Sequence, residues 1–454
     1  MGRRRSVKNR RGVSTGTIVM LMLTFLVLAG FFVLLPSLTG NQDIRINATE
    51  LAVAMDQSFT QLASSTGELF SRSVASSPML PPEILATAVP VHLEKASVSP
   101  TPVPIATPVP KQRFSLCAAG SIEGNNSVRK TFTFDDSYHF DLLADQISGA
   151  LKADLSIATL EHTLADSQKL TDVNMPSDFL SPLLASGINT LIIGHENILN
   201  NGFSGLQETS AAIRSAGLYP FGVFASAQER SSTALLNLNG VSVALLHYLD
   251  DVSHTGKKQA NKDELSMAFS PIDLQIIQAD IQKARQAGAN VVVVSLYWGK
   301  EGASKPTDEQ QELAQSIANA GADIILGNGS GVLQTVNVLS AERGDSKYHP
   351  VLCAYSLGNL FSHDRESRTT LASILLKADV VYDSENDQIA FENLTYTPTY
   401  TWRGKDDGRT LVRILLNDNH TYPDFINSDQ KSVMERCYKL VQDVMANTGI
   451  PTAF

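Results

Sequence analysis

The sequence predicts an α/β fold, and three observations support this prediction. Apolar strand-like runs alternate with helical segments from Arg113 onwards. Several predicted helices end at a glycine, as at Gly217, Gly288 and Gly321. Beyond Leu371 the apolar residues recur at every second position, which is typical of antiparallel strands. We therefore expect an alternating α/β part followed by an antiparallel part.

The predicted elements follow one another in a regular order. Strands are predicted at Phe114–Ala119, Leu155–Leu160, Thr190–Ile193, Val241–Leu246, Val291–Leu296, Asp323–Leu326 and Val351–Tyr355. Helices are predicted at Leu142–Leu151, Ser177–Ser186, Leu206–Ala216, Pro271–Ala287 and Asp308–Ala320. The later strands are predicted at Ala372–Val380, Gln388–Tyr396 and Thr410–Leu416, and an amphipathic helix is predicted over residues 428–448.

The N-terminus has the pattern of a membrane anchor. Residues 1–12 are rich in arginine and lysine, and residues 13–38 carry no charge. About 20 apolar residues suffice to cross a bilayer, and flanking positive charge stays in the cytoplasm. We expect a basic cytoplasmic tail, a transmembrane signal anchor and an extracytoplasmic remainder. A cleaved signal peptide is the alternative, but the apolar run is long for one and no compact cleavage site follows it closely.

Two further segments precede the globular part. Residues 39–77 form a stalk that could be helical, because Asn47 and Glu50 resemble a helix start. Its apolar stripe could pair two chains or pack on its own domain. Residues 78–112 are rich in proline and predict an extended linker, which at about 3.1 Å per residue reaches roughly 100 Å. We expect one domain over 113–420 and a C-terminal helix within 421–454.

The net charge argues against a nucleic-acid partner, and the cysteine content argues against a disulfide framework. The net charge is −10, and the part beyond residue 12 is more negative still. Nucleic acid is therefore not an expected partner. Cys117, Cys353 and Cys437 are too few and too widely spaced for a disulfide framework. Buried small hydrophobic residues are the favoured interpretation, and a Cys117–Cys353 bridge requires their strands to be neighbours.

Three turns follow predicted strands, at the edge where open α/β sheets bind ligands. They are Tyr297–Glu301, Gly327–Gln334 and Ser356–Asn359. None contains histidine or cysteine, and Glu301 is their single carboxylate. The layout is that of a hydrolase site from which most reactive atoms are missing.

These residues resemble the bacterial capsule-synthesis proteins of the CapA type, also called poly-γ-glutamate capsule proteins, over about residues 113–400. The most specific part is Ala289–Gln334, with its W-G-x-E turn and glycine-rich turn. The Tyr355–Asn359 turn, Leu160-Glu161 and the segment Gly202–Thr209 fit further blocks of that family. The resemblance implies a four-layer α/β/β/α sandwich like that of calcineurin-type metallophosphatases.

The chain departs from that family at the positions that would hold metal. The family's first aspartate is replaced by Ser121. Five family histidines are replaced by Asn197, Tyr297, Asn328, Gly329 and Gly331. A two-metal phosphoesterase site needs several carboxylate and imidazole ligands. The resemblance therefore predicts a retained fold with a lost metal centre, no resident metal or cofactor, and no catalytic residue.

The candidate residues of this vestigial pocket come from all of these blocks. They are Ser121, Glu161, His195, Glu196, Asn197, Tyr297, Trp298, Glu301, Asn328 and Asn359. Trp298 could stack on a ligand or pack across its turn, and Asn359 is expected to hold its turn through bonds to the backbone. His363 could lie at the site edge or in a solvated loop, and the glycine-rich turn could cradle an anion.

Three function classes remain open at this point. The favoured hypothesis is a membrane-anchored, non-catalytic component of capsule, poly-γ-glutamate or other cell-surface polymer biosynthesis. Its partners would be the polymer or its biosynthetic complex, and the cytoplasmic membrane through residues 13–38. The alternative is an active metal-dependent hydrolase or transferase with a rewired site around Glu161, His162, His195 and Glu196. A purely structural surface or spore-envelope protein is the third class.

Overall fold

The computed structural model describes residues 110–165, 170–363 and 367–454. The predicted tail, anchor and stalk, and the linker up to residue 109, lie outside the described residues. Within the three described ranges, none of the helices combines the length and the apolar character that crossing a membrane requires.

The strands are numbered in chain order. They are β1 Gln112–Ile122, β2 Thr133–Phe134, β3 Ser137–Tyr138, β4 Leu155–Leu160, β5 Thr163–Leu164, β6 Asn174–Met175, β7 Thr190–Ile192, β8 Tyr219–Phe221, β9 Leu235–Leu238, β10 Val241–Leu249, β11 Val291–Tyr297, β12 Ile324–Asn328, β13 Val336–Ala341, β14 His349–Ala354, β15 Asn359–Phe361, β16 Ala372–Asp383, β17 Gln388–Asp406 and β18 Arg409–Leu416.

Helices connect the strands and close the chain. The α-helices are Asn126–Thr131, Asp141–Ala144, Leu180–Ser186, Gly202–Ser215, Ala227–Ser231, His254–Gln259, Lys262–Ala268, Leu274–Gln286, Asp308–Asn319 and Ser428–Met445. Short 3-10 turns occur at Asp145–Ile147, Ser177–Phe179 and Thr369–Leu371.

Two large sheets make up the described part of the chain. The first has the order β18-β17-β16-β1-β4-β7-β8, with β15 added beside β1. Its β1, β4, β7 and β8 are parallel, whereas β16 to β18 are antiparallel. The second sheet has the order β13-β14-β12-β11-β10-β9, with a parallel centre and antiparallel edges. The mixed α/β class is therefore confirmed.

The alternation along β11 shows how the layers pack. Val291 and Val293 belong to the same buried cluster as the residues of the first sheet. Val292 and Val294 instead pack with Ile281 and residues of the helix Asp308–Asn319. Because successive side chains of a strand point to opposite faces, the second sheet is buried on both sides. A continuous apolar strand is the expected sequence for that position.

Several predicted boundaries were wrong for identifiable reasons. The first strand does not stop at Gly120 but continues to Ile122. A Cβ at Gly120 would lie 2.0 Å from the carbonyl oxygen of Gly358, so this glycine admits a neighbouring turn rather than ending the strand. The predicted helix over 142–151 is one short α-helix followed by a 3-10 turn. The C-terminal helix, predicted over residues 428–448, begins at Ser428 as predicted and ends three residues earlier, at Met445.

The cysteines behave as buried hydrophobic residues. All three are free and buried. Cys117 lies in β1 of the first sheet and Cys353 in β14 of the second, so their strands are not neighbours. The Cys117–Cys353 bridge is therefore wrong, and the interpretation as small core residues is confirmed.

Candidate functional site

The candidate site lies where carboxyl ends of strands from both sheets meet. Ser121 near the end of β1 pairs with Thr159 of β4 and with Asn359 of β15. Asn328 ends β12 of the second sheet, and its Nδ2 donates to Thr159 Oγ1 at 2.9 Å. This buried hydrogen bond links the sheets directly beneath the turns that the sequence singled out.

Glu161 follows β4 and lies at the centre of the site. Its carboxyl group accepts hydrogen bonds from the hydroxyl groups of Ser121 and Tyr297. Although the residue keeps some solvent contact, burial of the carboxyl group raises its pKa to about 8. The negative charges of Glu123 and Glu196 add to this effect, while the two hydrogen bonds oppose it. A largely protonated Glu161 is expected at neutral pH.

Further carboxylates surround Tyr297, which ends β11. Burial raises the pKa of its phenol, and Glu161, Glu196, Glu123 and Glu301 raise it further. Glu196 and Glu301 are exposed. The site therefore has a buried floor of hydroxyl and amide groups and an acidic, more exposed rim.

Glu123 belongs to this site but was missed by the sequence reasoning. Its carboxylate accepts from Asn359 Nδ2 at 2.7 Å and from Ser362 Oγ at 2.9 Å. The Asn359 side chain thus bonds to a carboxylate rather than to the turn backbone, contrary to our expectation. The available signal was position, because Glu123 lies two residues beyond Ser121 just past the same strand.

The turn after β7 uses its polar side chains internally. Asn197 Nδ2 donates to Glu196 Oε1 at 3.2 Å, and Asn200 Nδ2 donates to Asn197 Oδ1 at 2.9 Å. Ser253 in turn donates its hydroxyl hydrogen to Asn200 Oδ1. The amide of Asn197 is therefore satisfied at both ends, and it braces the backbone that presents Glu196.

Three histidines lie buried near these turns. Burial lowers the pKa of His162, His195 and His247 to about 3 in each case, so all three are neutral at physiological pH. His195 Nδ1 accepts from the backbone N–H of Asn197 at 3.2 Å, and His162 packs edge-on against Phe179. Across residues 110–165, 170–363 and 367–454, no three His, Cys, Asp or Glu side chains are grouped so that they could hold a metal ion.

Trp298 packs within the protein. Its Nε1 donates to the Tyr355 carbonyl oxygen at 2.9 Å, and its ring is parallel to the Tyr355 ring at 6.2 Å between centroids. Of the two interpretations, packing across the turn is the one that the structure has. The glycine-rich turn lies against the same residue, since a Cβ at Gly329 would be 2.8 Å from the Trp298 carbonyl oxygen.

His363 lies at the edge of the site. Its Nε2 is 3.0 Å from Ser127 Oγ and 3.1 Å from Arg403 Nη1. It follows Ser362, which bonds to Glu123. The residue is thus a partly buried link between segments rather than a solvated loop side chain.

Comparison with known proteins identifies the family of this arrangement. The model of the bacterial capsule synthesis protein PGA_cap family matches residues 115–364, which is more than half of the chain. The chain belongs to the PGA_cap family. Its matched range covers the strand ends from Ser121 to Asn359 that form the site.

Two relatives carry names that refer to capsule or PGA biosynthesis. The capsule biosynthesis protein CapA of Bacillus anthracis is 29% identical over 187 residues, covering 40% of this chain and 42% of that protein. The PGA biosynthesis protein CapA of Bacillus subtilis (strain 168) is 26% identical over 255 residues, covering 55% of this chain and 63% of that protein. The matches therefore span less than two thirds of either relative.

Solved structures with some likeness are more distant. A novel phosphatase from Mycoplasma pneumoniae gives a TM-score of 0.38 at 12% identity, covering 63% of this chain and 94% of that chain. A hypothetical protein from Thermus thermophilus gives a TM-score of 0.35 at 12% identity, covering 63% of this chain and 98% of that chain. Similarity at this level is too low to assign a shared function.

Proposed function

We propose that this PGA_cap protein is a non-catalytic binding component of cell-surface polymer assembly, built on a metallophosphatase-like sandwich whose metal site is lost. The observation that carries the proposal is the bonding of Glu161. Hydroxyl groups of Ser121 and Tyr297 donate to it where the resemblance expects an aspartate and a histidine beside metal. Protein donors thus satisfy a carboxylate that a metal ion would otherwise neutralise.

The other replaced positions support the same proposal. Asn328 stands at an expected histidine position, and its amide bonds to Thr159 across the sheets. Asn197 stands at another, and its amide bonds within its own turn. The donor set consists mainly of hydroxyl, amide and carboxyl groups, which is a poor match for a dinuclear transition-metal centre. The residues present do not fit that centre. They are compatible with a site that binds a ligand without hydrolysing it.

The capsule and PGA biosynthesis named for the two Bacillus relatives suggests the setting, namely a surface polymer or its biosynthetic complex as partner. The uncharged segment 13–38 supports a single-pass anchor with the N-terminus inside and the remaining chain outside the cytoplasmic membrane. Protease added to wall-stripped cells should release a fragment by cutting between Ser77 and Lys111. A full-length chain recovered from the cytosol would contradict this location.

Metal content tests the loss of the centre. The full-length chain is purified, analysed for bound transition metals, and melted with and without excess chelator. We expect less than one metal per chain and an unchanged melting temperature, because a bound ion would stabilise the folded state by mass action. Two metals per chain, or a chelator-induced fall of about 4 °C or more, would overturn the proposal.

A second candidate function is favoured by the protonation of Glu161. A carboxyl group whose pKa is raised to about 8 resembles a general acid held ready at neutral pH. This chain would then be a hydrolase or transferase with a rewired site. Assays of phosphomonoester and phosphodiester model substrates with manganese, repeated for Glu161→Gln and His195→Ala, separate the two. Activity that falls in both variants would favour the enzyme over the binding protein.

A further inference from the structure

The floor of the site presents hydrogen-bond acceptors that the described protein leaves unsatisfied. Asn359 is 2% exposed, and its Nδ2 donates to Glu123, yet its Oδ1 has no partner among the described residues. This amide orientation is set by chemistry, because a carboxylate accepts but does not donate. Asn328 is likewise 2% exposed, bonded through Nδ2 to Thr159, and unpartnered at Oδ1.

Unsatisfied buried acceptors favour a ligand that donates hydrogen bonds. Each such group costs about 1–3 kcal/mol when left without a partner. Asn328 ends β12 and bonds to Thr159 of β4, whereas Asn359 begins β15 opposite Ser121 of β1. Ser121 and Thr159 are themselves paired, so the two asparagines flank one floor.

The charge around this floor selects a cation. Glu161 lies at its centre, and the exposed Glu196 and Glu301 stand close enough to Tyr297 to act on the same phenol. The carboxylates of Glu123 and Glu196 disfavour a negative charge on Glu161, so a positively charged ligand would relieve this repulsion and allow Glu161 to ionise. An anionic ligand would meet the opposite effect.

The backbone of Gly331 leaves room for at least a methyl-sized group beside Asn359. Gly331 has a φ of +69°, and within 4 Å of a Cβ built there the described residues offer only Asn359 Nδ2, at 3.8 Å. The position at which the family resemblance expects a histidine is thus open next to the amide. At Gly329, by contrast, the Trp298 backbone fills the corresponding space.

We propose that this floor binds a primary ammonium group, held by Asn328 Oδ1, Asn359 Oδ1 and the carboxyl group of Glu161, which ionises when the cation binds. The three acceptors come from three different strand ends, which suits the three N–H donors of an ammonium better than the planar fork of a guanidinium. Glu196 and Glu301 attract the charge from the rim. This inference rests on the proposed binding function and names the chemical class of the group that is bound.

Calorimetric titration of the full-length chain tests the inference with three probes. Butylammonium chloride is compared with tetramethylammonium chloride, which has the same charge but no N–H donor, and with magnesium or calcium chloride. We expect heat and thermal stabilisation with butylammonium alone. Asn359→Leu, which keeps the approximate volume but removes the acceptor, should abolish the binding.

The rim supplies a variant that does not disturb the buried floor. The double variant Glu196→Gln with Glu301→Gln should weaken butylammonium binding about fivefold to tenfold, as expected for two exposed charges. The matched control is Glu312→Gln, an exposed glutamate on the outer helix Asp308–Asn319, which should bind as the unmodified chain does.

The outcomes separate this inference from the proposed function. Equal binding of both ammonium ions, binding of only the divalent cations, or no binding at all would overturn the ammonium site. The last result would leave the non-catalytic role untouched as long as the purified chain also lacks bound metal. Stoichiometric transition metal in the purified chain would instead overturn the proposed function itself.

Discussion

Asp323 and Glu161 are both carboxylates in sheltered positions, yet their surroundings are opposite. Asp323 precedes β12 and is 1% exposed, with Arg285 Nη2 at 2.6 Å and Arg343 Nη2 at 3.0 Å. It also accepts from the backbone N–H of Val292 at 2.8 Å. Glu161, near the other end of β12, has neutral hydroxyl donors and like-charged neighbours instead.

The difference separates a structural carboxylate from a candidate functional one. Arg285 and Arg343 also donate to the Gly321 and Ala322 carbonyl oxygens, which follow the helix Asp308–Asn319. Asp323 therefore joins the end of this helix to β11 and β12. The two arginines compensate its negative charge. Glu161 has no such counter-charge and stays largely protonated at neutral pH, so a cationic ligand would be needed to stabilise its ionised form.

A cavity lies at the edge of the second sheet that carries Asp323. It has a volume of about 230 Å³ and is lined by Arg285, Arg343, Asp345 and His349 among others. Its arginines already donate to carbonyl oxygens and to Asp323. The amide oxygens without a partner among the described residues belong instead to Asn328 and Asn359 near Glu161, so the chemistry of the lining favours that edge as the binding site.

The largest expected effect tests the structural side of this comparison. Asp323→Asn leaves two largely buried guanidinium groups without their counter-charge, so we expect a loss of about 3 kcal/mol in the free energy of unfolding. Urea denaturation of the full-length chain measures it. The control is Asp443→Asn, which removes an exposed ion pair with Lys439 and should cost less than about 0.5 kcal/mol. Equal losses of stability in the two variants would show that Asp323 is not a structural carboxylate that stabilises the fold.

The next effect concerns the unbalanced side and depends on pH. The pKa of Glu161 is raised from its ordinary value of 4.5 to about 8, so the folded chain binds an extra proton between these values. Its contribution to stability is complete below pH 4.5 and is lost as the pH rises through 8. Glu161→Gln should remove about 2 kcal/mol of this decline between about pH 6.5 and pH 8.5.

Urea midpoints of both proteins at several pH values measure the change in slope. Glu312→Gln serves as the control, because Glu312 is exposed on the helix Asp308–Asn319. Parallel plots of stability against pH for the unmodified chain and Glu161→Gln would show that Glu161 is ionised and well solvated at neutral pH. That result would contradict the contrast drawn between Asp323 and Glu161.

The smallest effect concerns the hydrogen bond that joins the sheets at the site. Thr159→Val removes the acceptor of Asn328 Nδ2 and leaves a buried donor unpaired, which should cost about 1 kcal/mol. Ser156→Ala, on the same strand, is the control because Ser156 Oγ is buried without a partner among the described residues. If Ser156→Ala lowers the free energy of unfolding as much as Thr159→Val does, the hydrogen bond between Asn328 and Thr159 does not stabilise the fold.

Much of the fold was predictable because local periodicity follows burial. The strand Leu155–Leu160 was predicted with its observed bounds, and the helix Asp308–Asn319 to within one residue, since a short apolar run marks the strand and Gly321 marks the end of the helix. The short strands Tyr219–Phe221 and Val336–Ala341 were missed. Three residues carry too little pattern, and β13 at a sheet edge lacks a regular buried–exposed alternation, since its apolar Val338 is exposed.

The site was predictable in position but not in bonding. Residues that follow strands were correctly expected at one edge of the sheets, because parallel strands end together. The partners of Asn359 and Trp298 depend on segments far away in sequence, namely Glu123 and Tyr355, and no local pattern encodes such contacts. Glu123 was missed because the first strand was predicted to stop before Gly120, whereas it continues to Ile122 and presents Glu123 just beyond its end.

The left-handed turn at Gly329 limits which residues can occupy that position. Its φ is +109°, and any Cβ would approach the Trp298 carbonyl oxygen to 2.8 Å. A histidine introduced there would be strained by its own backbone and blocked by its neighbour. Exchange of the side chain alone therefore cannot place an imidazole here, and the turn that carries Gly329 would have to change its backbone path first.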